Sequence, residues 1–89
     1  MNTLTIYSTA TCGFCHMLKK FLDDHGIGYQ SKMADENPEF ARELHERSGQ
    51  LGVPFSVIEN EKGEVLESVL GFDVQKFNRL IQDGVLQKG

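Results

Sequence analysis

The chain has 89 residues, 39% of them hydrophobic and 25% charged, with a net charge of −4. That length suits one small domain over residues 1–89, and the interspersed charges form no basic stripe that would expect nucleic acid as a partner. No apolar run approaches the ~20 residues of a membrane span and "MNTLTIYSTA" does not read as a signal peptide, so no membrane association is expected and the expected setting is the cytoplasm, where thiols are kept reduced.

"LTIYS", Leu4 to Ser8, is short, β-rich and bounded by small polar residues, and predicts a first strand. "TATCGFC" is the turn after it. Phe14, Met17, Leu18, Phe21 and Leu22 then recur at helical spacing, Gly26 ends the run, and Thr11 is the expected N-cap. "IGYQSKM", Ile27 to Met33, predicts a second strand. Asn37-Pro38 marks a helix start: a capping residue, then a proline where no N–H is needed. Phe40, Ala41, Leu44 and Ser48 give that helix its inner stripe, and Gly49 stops it. "VPFSVIE" and "EVLESVL" flank "NEKG" and predict a hairpin with Gly63 in the turn. Asp73 can cap a last helix whose inner residues are Val74, Phe77, Leu80 and Ile81.

The order is β-α-β-α-β-β-α. The first β-α-β should form a right-handed crossover between parallel strands. The hairpin adds antiparallel strands, so an α/β fold is expected, with a mixed four-stranded sheet covered by helices. The turn between the first strand and first helix then becomes the functional corner, and it holds both cysteines of the chain, Cys12 and Cys15.

The spacing "CGFCH" serves three chemistries: a redox dithiol, half of a metal site, or covalent haem attachment. A pair this close closes no long loop, so it is suited to chemistry rather than to stapling the fold. Zinc normally takes four protein ligands, and only His16, His25 and His45 remain to add, none at finger spacing. Haem proteins of the matching type are exported, and no leader is expected here. The redox reading rests on the helix start. Unpaired N–H groups and the macrodipole there favour an anionic sulfur, so the Cys12 thiol should ionise below the free value of ~8.5. An i,i+3 pair places two Cα atoms about 5 Å apart, within the window for a disulfide. Cys12 is then the attacking sulfur and Cys15, deeper in the helix, the resolving one.

"TIYSTATCGFCHMLKKFL", "GVPF" and "VLGFD" together resemble the glutaredoxin branch of the thioredoxin superfamily over nearly the whole chain, and are also similar to NrdH-type redoxins. The resemblance implies a thioredoxin fold with helices on both faces of the sheet. It implies a thiol–disulfide oxidoreductase acting on disulfide-containing proteins or glutathione mixed disulfides; no bound cofactor or metal is expected, and the chain is expected to be a monomer. It also implies a cis Val53-Pro54 bond beside Cys12. The substrate groove it implies comprises Thr9, Gly13, Phe14, Val53, Pro54, Gly71, Phe72 and Asp73, with the Val53 backbone pairing the substrate's extended chain.

The sequence departs from the glutaredoxin pattern in three places. Thr9 stands where many glutaredoxins carry a lysine for a glutathione carboxylate. Leu70-Gly71 replaces a Gly-Gly pair, with Phe72-Asp73 following. Gly13-Phe14 replaces the common Pro-Tyr. Losing a cation weakens a site for an anionic tripeptide, while Gly71-Phe72 matches redoxins reduced by thioredoxin reductase. Glutathione and thioredoxin reductase are therefore both kept as reductants. An iron–sulfur cluster bridged between two chains through Cys12 is the alternative of another class. Phe14 is expected to meet substrate, and Phe72 either to pack or to dock a partner. His16 and Lys19 are expected to adjust the electrostatics at most, Asp35-Glu36 to be solvated, and the remaining Met and Phe residues to be core.

Overall fold

The computed structural model describes residues 2–87; residue 1 and residues 88–89, which fall within the expected 1–89 domain, lie outside the described residues. The elements follow the order β1 (Thr3–Ser8), α1 (Gly13–Asp24), β2 (Gln30–Met33), α2 (Pro38–Ser48), β3 (Phe55–Glu59), β4 (Val65–Leu70) and α3 (Val74–Gln82). The sheet order is β2-β1-β3-β4. β1 and β2 are parallel, while β3 runs antiparallel to β1 and to β4. This is the expected mixed sheet of a thioredoxin fold.

Strand alternation divides the interior in two. Leu4, Ile6 and Ile58 point to one face, where Leu18 and Leu22 of α1 and Phe77 and Leu80 of α3 cover them. Tyr7, Phe55 and Val57 point to the other face, where Leu44 of α2 covers them. Helices thus lie on both faces, and β1 and β3, central in the sheet, are buried on both sides.

α2 begins and ends as its sequence predicts. The Asn37 side chain accepts from Glu39 N–H at 2.9 Å, and Pro38 occupies the first turn. Gly49 adopts φ +76°, a left-handed conformation that glycine enters without a Cβ clash, and returns its N–H to His45 O at 2.8 Å.

Four expectations are corrected. α1 is capped by Cys12 rather than Thr11, because the Cys12 sulfur itself accepts the Cys15 amide hydrogen. The second strand is shorter than Ile27–Met33: Ile27 forms only an isolated bridge, and the run Gln30–Met33 pairs with β1. Met17 is 53% exposed rather than core. The line facing the sheet is Cys15, Leu18 and Leu22, and Met17 falls on the neighbouring line that begins at exposed Phe14. Val74 is 38% exposed, since it stands at the very start of α3, where the inner face opens to solvent.

β4 is an outer strand of the sheet. The Lys76 ammonium donates to Ser68 O at 3.2 Å and pairs with Glu67 at 3.0 Å, placing a charge along that edge.

Candidate active site

The first turn of α1 is built around sulfur. Cys12 has extended backbone angles (φ −83°, ψ 107°). Its N–H donates to Thr9 O at 3.3 Å, and its carbonyl accepts from His16 N–H at 3.3 Å. Its Sγ accepts from Cys15 N–H at 3.1 Å, so a sulfur occupies the place a serine or aspartate oxygen takes at other helix starts. An orphan amide aimed at sulfur is the arrangement that stabilises a thiolate there.

Cys15 lies one turn in and is 1% exposed, whereas Cys12 is only partly covered. The two are joined in a disulfide with Cα atoms 5.2 Å apart. Solvent therefore reaches Cys12 first, and Cys15 lies closed behind it.

The opposite wall comes from the segment entering β3. The Val53-Pro54 peptide bond is cis, as the family resemblance implies. Val53 O lies 3.8 Å from Cys12 Sγ, within reach of a thiol hydrogen in the reduced state. Pro54 is buried, and its carbonyl accepts from Gly71 N–H at 2.8 Å. Gly71 takes φ +81°, which a side chain would strain, and this turn brings the end of β4 beside Pro54.

The chain matches the family model described as Glutaredoxin over residues 4–62. It belongs to the glutaredoxin family. Glutaredoxin 3 of Escherichia coli is 35% identical over 54 residues, covering 61% of this chain and 65% of the relative. The glutaredoxin-like protein NrdH of Lactococcus lactis is 40% identical over 43 residues, covering 48% of this chain and 60% of the relative. The matches thus span less than two thirds of these relatives' lengths. Among solved structures, a buckwheat glutaredoxin–glutathione complex aligns with TM-score 0.69 at 26% identity, over 96% of this chain and 76% of that one.

Each of the expected site residues has its own partners in the fold. Cys12, Cys15, the Val53 carbonyl and the Thr9 backbone meet directly, Pro54 follows Val53 through the cis bond, and Gly71 joins through Pro54. Gly13 and Phe14 lie between the two cysteines at the head of α1; Phe14 is 63% exposed and Gly13 has open space where a Cβ would stand. Phe72 turns inward, edge-on to Phe21 with ring centres 5.8 Å apart, so its ring packs on the core. Asp73 spends a carboxylate oxygen on the start of α3, accepting from Lys76 N–H at 3.1 Å. Lys19 donates to Ser31 Oγ at 2.9 Å, which ties α1 to β2.

Reading the sequence alone missed a polar cluster under α2. Buried Tyr7 donates its hydroxyl to Glu43 at 2.8 Å, and Lys32 donates to the same carboxylate oxygen at 2.8 Å. Arg47 pairs with Glu59 at 3.1 Å nearby. Burial, followed by the Glu43 hydrogen bond, pushes the Tyr7 hydroxyl up to about 12. The Lys32 and Tyr7 hydrogen bonds hold Glu43 below the usual carboxylate range. A tyrosine in a predicted buried strand was the available signal, since its hydroxyl needs a partner.

Among the described residues, no group of three or more His, Cys, Asp or Glu side chains gathers as a metal site. No helix among them is long and apolar enough to cross a membrane.

Proposed function

We propose that this chain is a cytoplasmic dithiol oxidoreductase, acting as a monomer on protein disulfides and glutathione mixed disulfides. The observation that carries the reading is the asymmetry of the pair. Cys12 sits partly open at the helix cap with an amide hydrogen on its sulfur, and Cys15 lies closed behind it.

The reduced Cys12 thiolate attacks one sulfur of the substrate disulfide. That bond breaks, the other substrate sulfur leaves and takes a proton from solvent, and Cys12 holds a mixed disulfide. Cys15 then loses its proton and attacks Cys12 Sγ. The mixed disulfide breaks, and the second substrate sulfur leaves and is protonated. Two electrons have passed to the substrate, and the chain is left in the Cys12–Cys15 disulfide described above. Two glutathione molecules, or a reductase, return the electrons.

Val53 and Pro54 form the wall along which the substrate chain lies, with Thr9, Gly13, Phe14, Gly71, Phe72 and Asp73 around it. The glutathione bound in the buckwheat relative supports glutathione as reductant. The likeness to an NrdH protein favours the second reading, reduction by thioredoxin reductase. Thr9 offers no cation to a carboxylate, so glutathione binding should be weak.

Mass spectrometry of trapped complexes tests the chemistry. Cys12→Ser should abolish disulfide reduction, and Cys15→Ser should accumulate mixed disulfides with substrate proteins; trapping by Cys12→Ser instead would reverse the roles. Coupled assays with glutathione and its reductase, against thioredoxin reductase, decide the donor. Thr9→Lys should tighten glutathione by up to about fivefold, the scale of a partly exposed ion pair, and added salt should shrink the gain. Visible absorption of anaerobically purified protein would point instead to a cluster carrier.

A further inference from the structure

We propose that His16 and Asp35 are positioning residues that hold the turn ahead of Cys12 from both sides. The turn runs from Thr9 to Cys12, closed by the Cys12 N–H to Thr9 O hydrogen bond at 3.3 Å. Its first inner residue is Ala10. The Ala10 N–H donates to Asp35 Oδ2 at 3.0 Å, and the Ala10 carbonyl lies 2.9 Å from His16 Nε2, which donates to it. His16 belongs to the first turn of α1, and Asp35 to the turn between β2 and α2. Two ionisable side chains from different elements thus converge on the backbone of one exposed alanine.

Both polar groups of the Ala10 backbone are fixed, and with them the path of Thr11 into Cys12. That path sets the extended angles at Cys12, and those angles aim Sγ at Cys15 N–H and bring it to 3.8 Å from Val53 O. An open turn would swing the sulfur off the helix axis, where the amide and the dipole no longer favour its charge. His16 therefore acts through Ala10. The Nε2–H is spent on the loop carbonyl and is not offered to the Cys12 sulfur. Because the contacts are exposed, they matter for the placing of one atom more than for the stability of the fold.

The test uses the full chain with His16→Ala, His16→Gln, Asp35→Ala and Asp35→Asn. The primary readout is the thiolate absorbance of the reduced protein against pH, which needs no substrate. Turnover of a model disulfide gives kcat and KM. Each alanine variant should move the thiolate titration to higher pH and lower kcat about fivefold, the worth of one ordinary hydrogen bond, with KM and unfolding temperature unchanged. His16→Gln keeps a donor and Asp35→Asn keeps an acceptor, so both should recover most of the loss.

The direction of the Asp35 result is informative. Removing a nearby negative charge alone would move the titration to lower pH, opposite to the shift expected from opening the turn. The proposal is overturned by alanine variants that titrate like wild type. It is equally overturned by Asp35→Asn or His16→Gln falling as far as alanine, or by a loss of unfolding temperature that tracks the loss of kcat. The kcat arm rests on the proposed oxidoreductase function, whereas the titration does not. A wild-type chain that reduces no disulfide would sink that function and leave this inference to the thiolate data.

Discussion

On one side of the sheet Leu4, Ile6, Leu18 and Phe77 meet as hydrocarbon, while on the other Tyr7 and Phe55 share their layer with Glu43 and Lys32. The first side carries α1 and therefore both cysteines. The second carries α2, from which the chain runs through Gly49 to Val53. The groove thus joins a wall fixed by buried area to a wall fixed partly by hydrogen bonds and charge. Hydrocarbon packing is indifferent to pH, whereas a carboxylate and a phenol are not. The cysteine pair should therefore stay seated under conditions that loosen the segment opposite it.

The largest expected effect tests the hydrocarbon side. Phe77 is fully buried between α3 and the sheet, and Phe77→Ala should cost about 3–5 kcal/mol in chemical unfolding. A loss near 1 kcal/mol would mean that this side is not the main support.

The polar side should break more gently and should depend on chemistry rather than size. Glu43→Ala strips an acceptor from both Tyr7 and Lys32 and should cost about 1–3 kcal/mol. Glu43→Gln keeps an acceptor and should cost less. Equal losses would make the charge, and not the hydrogen bonds, the organising element.

Alkaline titration separates the sides without mutation. The folded Tyr7 hydroxyl titrates at about 12, above the unfolded value of about 10. The unfolded chain thus gives up this proton first, and the stabilisation, present below about pH 10, is lost as pH rises toward 12. The loss should be of order 1–2 kcal/mol by unfolding at stepped pH, and Tyr7→Phe should remove it. At the acid end Glu43 is displaced the other way. Its contribution holds above the usual carboxylate value and fades as pH falls through the lower folded one.

The smallest effect has the opposite sign. Ser56 points to the hydrocarbon side opposite Ile6, and its buried hydroxyl finds no hydrogen-bond partner among the described residues. Ser56→Ala should raise stability by about 0.5–1 kcal/mol, because an unpaired buried hydroxyl is removed. A destabilised variant would show that Ser56 is paired in solution.

Much of this division was legible from local pattern. Asn37-Pro38 and Gly49 bracket α2 because capping and left-handed turns depend on residues within one turn of the chain. The closeness of Cys12 and Cys15 was legible for the same reason. Met17 was misplaced because Phe14, Met17 and Phe21 form a helical line of their own beside the truly buried one, and spacing cannot choose between adjacent lines. Glu43 stands 36 positions from Tyr7, so nothing local announces their bond. Phe72 was undecided until Phe21 supplied a ring for it to pack on. Gly71 meets Pro54 across the hairpin, a contact that no single segment encodes.

The cap of α1 carries one more consequence. Most helices are closed by an oxygen, but here the closing atom is a sulfur that can exist as a thiol, a thiolate or half of a disulfide. An anionic sulfur accepts an amide hydrogen more strongly than a disulfide sulfur does, so the end of α1 tightens when the chain is reduced and slackens when it is oxidised. The Cys15 amide becomes a local gauge of electron occupancy, exchanging its hydrogen with solvent most slowly in the reduced state.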